Sequence, residues 1–139
     1  MIVIDTNVVS ALMHRNPDPR VVTWLDGLPP ESVWTTAITV FEVQFGLALL
    51  VPSRRRRQLE EAFARALEED LEQRILPVDQ SAARSAGAIA ARRRHAGCSV
   101  EIRDALIAGV VVARKASLAT RNVKYFEGLD LPIIDPWSA

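Results

Sequence analysis

MIVIDTNVVS, residues 1–10, opens the chain with three β-branched residues that run directly into polar ones. An uninterrupted apolar run such as residues 2–4 is typical of a short strand buried on both faces of a parallel sheet. Ligands of open parallel sheets bind beyond the carboxyl ends of the strands, so Asp5 is a candidate ligand or catalyst. Asp5 can equally cap a helix that begins at Thr6, and both interpretations stay open at this stage.

Strands and helices alternate along the rest of the chain. Further strands are predicted at residues 32–35, 75–78, 117–120 and 131–134. A short helix follows the first strand, and longer helices are predicted at residues 19–26, 37–50, 54–73, 80–96 and 100–115, with a loop or helical turn at 122–126. This alternation predicts an α/β fold, in which a central parallel sheet of about five short strands carries helices on both faces.

Composition limits the domain count and the compartment. A chain of 139 residues with 49% hydrophobic side chains suits one domain, residues 1–139, with a sizeable core. Cys98 is the only cysteine, which excludes an internal disulfide and a cysteine-based zinc site and fits a reducing cytosol. The start lacks the pattern of a signal peptide, and no apolar stretch is long enough to span a bilayer. We therefore expect a soluble, cytoplasmic protein without a membrane partner.

The charge balance gives no general attraction for a polyanion. Lys plus Arg and Asp plus Glu number 17 each, so any nucleic acid must be held by a local patch. The run at residues 54–57 is followed four residues later by acids, a spacing typical of a solvated helix face. The run at residues 92–94 ends a predicted helix, where the dipole favours cations. Neither run is assigned to RNA binding, and the RNA-binding residues stay unknown.

Glu42 lies in an apolar run that predicts a helix. Helical spacing places it on the same stripe as three apolar side chains, Ile38, Phe45 and Leu49. A carboxylate that faces a core is costly unless it is paired, protonated or bound to a cation. Glu42 is therefore a candidate metal ligand, and an ion pair with an Arg across the core is the alternative.

Asp104 repeats this pattern in a later helix. It precedes three apolar positions, Ile107, Ala108 and Val111, by three, four and seven residues, so it is expected on the apolar face. It also lies near the amino end of the helix, where the dipole favours an anion. Glu101, one turn earlier, is better interpreted as an ordinary first-turn acid.

Three such carboxylates would raise one another's pKa values if they met, unless a divalent cation were bound among them. Oxygen ligands without His or Cys favour Mg²⁺ or Mn²⁺. His14 and His95 lack the spacing of zinc ligands or of a catalytic triad. The chain also has no glycine-rich phosphate loop and no nucleophile elbow.

Several short motifs, taken in order, resemble those of one family. The chain is similar to the PIN-domain ribonucleases, especially the VapC-type toxins of bacterial toxin-antitoxin systems. The resemblance covers almost the whole chain, and the motifs that carry it are Asp5-Thr6-Asn7, Glu42 within an apolar helix, Arg103-Asp104-Ala105-Leu106-Ile107-Ala108, Ala119-Thr120-Arg121-Asn122-Val123 and Asp135-Pro136-Trp137.

The resemblance implies an endoribonuclease that depends on Mg²⁺ or Mn²⁺. The residues that would hold the ion and carry catalysis are Asp5, Glu42 and Asp104. Attack by a metal-activated water would leave a 5′-phosphate. Supporting roles fall to Thr6, Thr120 and Asn122. The implied partners are an RNA substrate, a cognate VapB-like antitoxin and a second copy of the chain in a homodimer.

One departure from the family affects the metal count. Many relatives carry a fourth acid at the position of Asn122 or of Tyr125, and this sequence has neither. We therefore expect one well-held ion. The same departure motivates the alternative function, a catalytically weak or inactive PIN-like module that binds RNA or an antitoxin without cleavage. An aspartate-nucleophile phosphatase is disfavoured because it needs a second Asp at the position of Asn7.

Overall fold

The opening stretch forms the central strand of a five-stranded sheet. In the computed structural model, which describes residues 1–139, β1 (Ile2–Ile4) pairs in parallel with β2 (Val33–Thr36) and β4 (Ser117–Ala119). The outer strand β3 (Ile75–Leu76) pairs in parallel with β2, and the outer strand β5 (Ile133–Ile134) pairs in parallel with β4. The strand order is therefore β3-β2-β1-β4-β5. The carboxyl ends of all five strands therefore meet at one edge, and the predicted fold class is confirmed.

Helices cover both faces of this sheet. They are α1 (Thr6–Leu12), α2 (Pro19–Asp26), α3 (Ala37–Leu49), α4 (Arg54–Arg65), α5 (Gln80–His95), α6 (Ile102–Ala113) and α7 (Val123–Phe126). One core cluster joins α1, α2, α3 and α4 through residues such as Val8, Val21, Val43 and Phe63. A second joins α5, α6 and α7 on the opposite face. None of the helices has the length and apolarity that a membrane crossing requires.

Short polar side chains fix where the main helices begin. In each case the side-chain oxygen accepts a hydrogen bond from a backbone N–H of the first turn, and the capping residues are Asp5, Asp18, Thr36, Ser53, Asp79 and Glu101. Such caps stabilise a helix by about 1 kcal/mol each. The helix starts predicted after Asp18, Thr36 and Asp79 agree with the structure, whereas α6 begins at Ile102, two residues later than expected.

Several element boundaries differ from the predicted ones. The helix expected at residues 54–73 ends its regular part at Arg65, continues as a π-helical turn (Ala66–Asp70) and stops where Glu72 and Gln73 adopt positive φ angles. The strand expected at residues 75–78 ends at Leu76, because Pro77 lacks the N–H that would extend the ladder. The strand expected at residues 131–134 contains only Ile133 and Ile134, and it begins directly after Pro132.

The packing of α5 against α6 depends on a glycine. A Cβ atom added at Gly109 of α6 would lie 2.7 Å from the Cβ of Ala86 and still closer to the carbonyl oxygen of Ala82, both on α5. Real Cβ atoms essentially never make such contacts. The two helices therefore approach this closely only because residue 109 has no side chain.

Candidate active site

The site is built at the carboxyl edge of the sheet, where β1 and β4 end side by side. Ile4 of β1 is in register with Ala119 of β4, so the residues that follow them meet. Thr120 Oγ1 donates a 2.7 Å hydrogen bond to Asp5 Oδ2. Asn7 Nδ2 lies 3.4 Å from the same carboxylate oxygen and 3.3 Å from Thr120 Oγ1. Parallel pairing thus joins residues that are far apart in the sequence.

Asp5 is a buried acid that is held in place by hydrogen bonds. Only 3% of it is exposed, and burial raises the pKa of its carboxyl above the ordinary value. Hydrogen bonds from Thr120, from the backbone N–H of Thr6 and from Asn7 oppose that shift. Asp5 is therefore a helix cap and is also positioned at the strand end, so the two interpretations of the sequence are compatible. Its charged form would gain from a nearby cation.

Glu42 reaches this edge from α3. Thr6 Oγ1 donates a 2.8 Å hydrogen bond to Glu42 Oε1 and lies 3.1 Å from Thr39 Oγ1. On its other side, Glu42 Oε2 is 3.8 Å from Nη1 of Arg103 on α6. The ion pair with an Arg that was considered from the sequence is therefore present, but at the cleft between α1, α3 and α6 and not inside the core.

The predicted orientation of α3 was wrong. Phe45 and Leu49, which share the stripe of Glu42, are 49% and 70% exposed. The residues of α3 that are buried against the core are Thr39, Val43 and Leu47. Because α3 is apolar on nearly every side, residue spacing alone does not define its buried face. Glu42 is half-buried at the cleft and not surrounded by core side chains.

Asp104 lies half-buried at the amino end of α6. Burial, followed by the charges of Asp5 and Glu42, raises the pKa of its carboxyl from 3.8 to about 6. Glu101 adds to this shift, whereas Arg103 opposes it. The other two acids singled out from the sequence, Asp5 and Glu42, therefore lie near enough for their charges to act on Asp104.

The chemistry of these donors fits a hard divalent cation, although they do not form a closed set of ligands. No three acidic, histidine or cysteine side chains lie close enough to hold one ion together. Asp5 and Glu42 instead direct oxygens at Thr120 and Thr6. Carboxylate and hydroxyl oxygens are the donors that Mg²⁺ and Mn²⁺ prefer, and a cation would relieve the repulsion felt by Asp104.

The three supporting residues proposed from the sequence are placed differently. Thr6 and Thr120 contact Glu42 and Asp5 directly. Asn122 contributes its backbone N–H, which donates to Thr120 Oγ1 at 3.0 Å, while its exposed side chain makes no hydrogen bond. Its backbone thus orients the hydroxyl that holds Asp5, and any role of its side chain stays a prediction.

Three residues of the site were not chosen from the sequence. Asn7 contacts Asp5 and Thr120, Thr39 contacts Thr6, and Arg103 pairs with Glu42. Asn7 had a detectable signal, since a second polar residue follows Asp5 closely at a strand end. The contacts of Thr39 and Arg103 depend on how helices that are distant in sequence pack together.

One arginine in each of the two runs is held by intramolecular contacts. Arg56 forms an ion pair with Glu60 one turn further along α4, with a separation of 2.9 Å. Arg93 donates to the carbonyl oxygens of Ser99 and Tyr125 and lies 3.9 Å from the centre of the Tyr125 ring. The pair of Arg56 with Glu60 agrees with the helix-surface interpretation of the first run, whereas the contacts of Arg93 were not predicted.

Replacement of Asp104 by Asn is expected to stabilise the metal-free protein. Because the folded-state pKa of Asp104 is raised, its ionisation opposes folding; the penalty is absent below pH 3.8, grows up to about pH 6 and is complete above that. The gain at pH 7 should be about 1 kcal/mol, since solvent screens a half-exposed group. Urea denaturation in EDTA at pH 7 and about pH 4 measures it.

Exposed Asp130 provides the matched control for this measurement. Asp130→Asn should change the free energy of unfolding by less than about 0.5 kcal/mol at either pH. The gain from Asp104→Asn should disappear at the lower pH. Equal stability of wild type and Asp104→Asn at pH 7 would contradict the repulsion inferred here.

Comparison with known proteins gives concordant matches over nearly the full chain. The sequence model of the PIN domain matches residues 2–130. A VapC ribonuclease of Sinorhizobium fredii is 37% identical over 137 residues, which are 99% of this chain and 98% of the relative. Toxin FitB of Neisseria gonorrhoeae is 34% identical over 137 residues, 99% of each chain. A solved structure of FitAB bound to a DNA fragment superposes with a TM-score of 0.87 at 34% identity, covering 99% of this chain and 96% of the other.

Proposed function

The chain belongs to the PIN-domain family, and from this membership we propose that it is the endoribonuclease toxin of a toxin-antitoxin pair, active in the cytoplasm as a single domain of residues 1–139. The relatives named VapC ribonuclease and Toxin FitB support this proposal. The observation that carries it is the arrangement at the strand edge, where Thr120 and Thr6 hold the carboxylates of Asp5 and Glu42 and the charges of these two acids raise the pKa of the Asp104 carboxyl.

In this proposal Asp5, Asp104 and Glu42 hold Mg²⁺ or Mn²⁺. The chemistry that such an ion supplies when bound is a more acidic water and a counter-charge for the phosphate oxygens. Thr120 and Thr6 fix the carboxylates of Asp5 and Glu42 through hydrogen bonds of 2.7 and 2.8 Å, which reduces the reorganisation needed on binding. Because neither Asn122 nor Tyr125 adds an acid, we propose one well-held ion.

The ends of the cleaved RNA test the chemistry. Purified protein, freed of any antitoxin, is incubated with RNA and Mg²⁺ or Mn²⁺, and the new termini are analysed. Water attack leaves a 5′-phosphate and a 3′-hydroxyl. Products that end in 2′,3′-cyclic phosphate would exclude this mechanism, because they require attack by the ribose 2′-hydroxyl.

A second candidate function is binding of RNA or an antitoxin without cleavage. The contact of Arg103 with Glu42 favours it, because the guanidinium already neutralises part of the charge that an ion would otherwise balance. The absence of a closed set of three ligands points the same way. Turnover distinguishes the two functions, since a pure binding module leaves RNA intact at every concentration of Mg²⁺ or Mn²⁺.

We further propose a VapB-like antitoxin and a second copy of the chain as protein partners. The FitAB assembly supports the first. The second is supported by α3, whose outer face exposes Phe41, Phe45 and Leu49. The two phenyl rings stack with centroids 5.9 Å apart. Contiguous exposed apolar side chains of this kind mark interaction surfaces more often than free ones.

Changing Phe41 and Phe45 together to Ser is expected to convert the dimer into a monomer. Each substitution removes an aromatic side chain from the centre of the proposed contact, where such residues carry most of the binding energy. Light scattering coupled to gel filtration measures the mass. Both side chains are about half exposed in the monomer, so the melting temperature of the monomeric protein should change little. If the double variant keeps the mass of a dimer, the contact between the two copies does not lie on this face of α3.

A further inference from the structure

We propose that the groove between α1 and the turn after β4 binds the phosphate backbone of single-stranded RNA, with Arg121 and Arg15 as its phosphate contacts; this inference rests on the proposed nuclease function. The groove has a volume of about 980 Å³. One wall is the face of α1 that carries Asn7 and Ser10, continued by the loop that contains His14 and Arg15. The opposite wall is formed by Arg121 and Trp137.

The groove begins at the carboxylates. Asn7 lines it and also places its side-chain nitrogen 3.4 Å from Asp5 Oδ2. The side-chain oxygen of Asn7 accepts a 3.1 Å hydrogen bond from the backbone N–H of Arg121. The two walls are therefore joined at the end nearest Asp5. A strand whose scissile phosphate lies at Asp5 can continue into this groove.

The cations of the groove are free to bind a ligand. The guanidinium of Arg121 lies 4.8 Å from the centre of the Trp137 ring and has no hydrogen bond or ion pair within the protein. Arg15 and His14 also lack side-chain partners and are exposed. A guanidinium that stacks on an indole is held in one orientation, so its planar set of donors is ready for the oxygens of a phosphate.

The one carboxylate that lines the groove is already neutralised. Asp18 accepts hydrogen bonds of 2.8 and 3.1 Å from the side chain of Arg20 and another of 2.9 Å from its backbone N–H. The local charge of the groove is therefore positive although the chain as a whole carries none. A local patch of this kind is what a protein with balanced charge requires to bind a polyanion.

A neighbouring cavity fits RNA less well. It is lined by Arg54, Arg55 and Arg65, but also by the acids Glu61, Glu69 and Asp70. Its charges are mixed, and none of the residues that contact Asp5 lines it. The groove at Arg121 combines an unpaired cationic wall with direct continuity to the carboxylates, and for this reason we assign the RNA backbone to it.

Binding to a labelled RNA in an Asp5→Asn background, which separates binding from cleavage, tests the assignment. The probe is a mixed-sequence single strand of about 12 nucleotides, and its anisotropy is followed between about 50 and 200 mM salt. Arg121→Gln and Arg15→Gln should each weaken binding roughly tenfold, the cost of a lost charged hydrogen bond. Each should also lower the slope of log K against log salt by about 0.7.

Arg84→Gln is the matched control, because Arg84 is an exposed arginine of α5 on the opposite face of the sheet. Its loss should change affinity less than about twofold if the groove carries the binding. Arg121 also packs on Trp137, so circular dichroism must show that its variant is folded. Arg15 packs on no ring but also lines the neighbouring cavity, so if Arg121→Gln is unstable, Arg15→Gln is compared with Arg55→Gln, which alters that cavity alone and should leave affinity unchanged.

Two results would overturn the inference, and a third would separate it from the proposed nuclease function. The groove assignment is overturned if both groove variants have the same RNA affinity and salt slope as Arg84→Gln, even if the wild type cleaves RNA. The assignment is also overturned if the groove variants lose affinity for a polyglutamate peptide but not for the RNA. The groove would then bind an acidic protein segment. If the groove variants bind RNA weakly but the wild type never cleaves it, the groove assignment stands and the proposed nuclease function is refuted.

Discussion

Asp5→Asn is expected to abolish most RNA cleavage while leaving the protein folded. The rate should fall by roughly 10²- to 10³-fold or more, the usual cost of removing a charged group that stabilises the transition state. Asn has nearly the same shape as Asp and is an equally good helix cap, so α1 should keep its start. The amide oxygen can keep the bond from the backbone N–H of Thr6, and the amide nitrogen, in the place of Oδ2, can donate to Thr120 Oγ1. Single-turnover cleavage of a labelled RNA with Mg²⁺ measures the loss.

Asp79→Asn is the matched control for this substitution. Asp79 also caps a helix, because its side chain accepts a 2.9 Å hydrogen bond from the N–H of Ala82 at the start of α5. Asp79 and Asp5 thus share a structural role, but the site that holds Glu42 and Thr120 does not include Asp79. Asp79→Asn should cleave at the wild-type rate. Equal cleavage by Asp5→Asn and the wild type would refute the proposed metal site.

Gly109→Ala is expected to destabilise the protein by about 3 kcal/mol, at the upper end of what overpacking a core costs. The added methyl group would press against the backbone of α5 at Ala82 and against the Cβ of Ala86. Backbone atoms cannot move aside as a flexible side chain can, so α5 and α6 must separate. For a chain of this size the melting temperature should fall by about 10 °C.

Gly87→Ala provides the opposite result on the helix that Gly109 contacts. A Cβ atom at Gly87 meets nothing within 4 Å, and the residue is exposed on α5. The substitution should therefore stabilise the protein by about 0.5–1 kcal/mol, the difference in helix propensity between Ala and Gly. Urea denaturation of both variants gives the comparison. Equal stability of the two would mean that α5 and α6 do not pack as closely as described.

Local sequence patterns were sufficient for most of the fold. The apolar run at Ile2–Ile4 predicted the central strand, and short polar residues such as Asp18, Thr36 and Asp79 predicted helix starts. These features depend on residues that are neighbours in the sequence. The ends of β3 and β5 were placed less well, since each strand lies beside a proline and pairs through only two residues.

The sequence was enough to propose residues for the site, but their contacts could not be predicted from it. Asp5 was chosen because it follows the end of a strand, and Glu42 and Asp104 because charge is costly in apolar surroundings. In the structure, the charges of Asp5 and Glu42 act on Asp104. The orientation of Glu42 could not be obtained, because α3 exposes Phe45 and buries Val43 for reasons set by the packing of other helices. The contact between Glu42 and Arg103 depends on that same packing.

The register between β1 and β4 bears on how such a toxin is made. One half of the site follows the first strand, whereas Thr120 lies 115 positions later in the chain. A nascent chain on the ribosome therefore exposes Asp5 long before its hydroxyl partner exists. If cleavage needs both, a nascent chain stays inactive until β4 and Thr120 have been synthesised and have folded against β1.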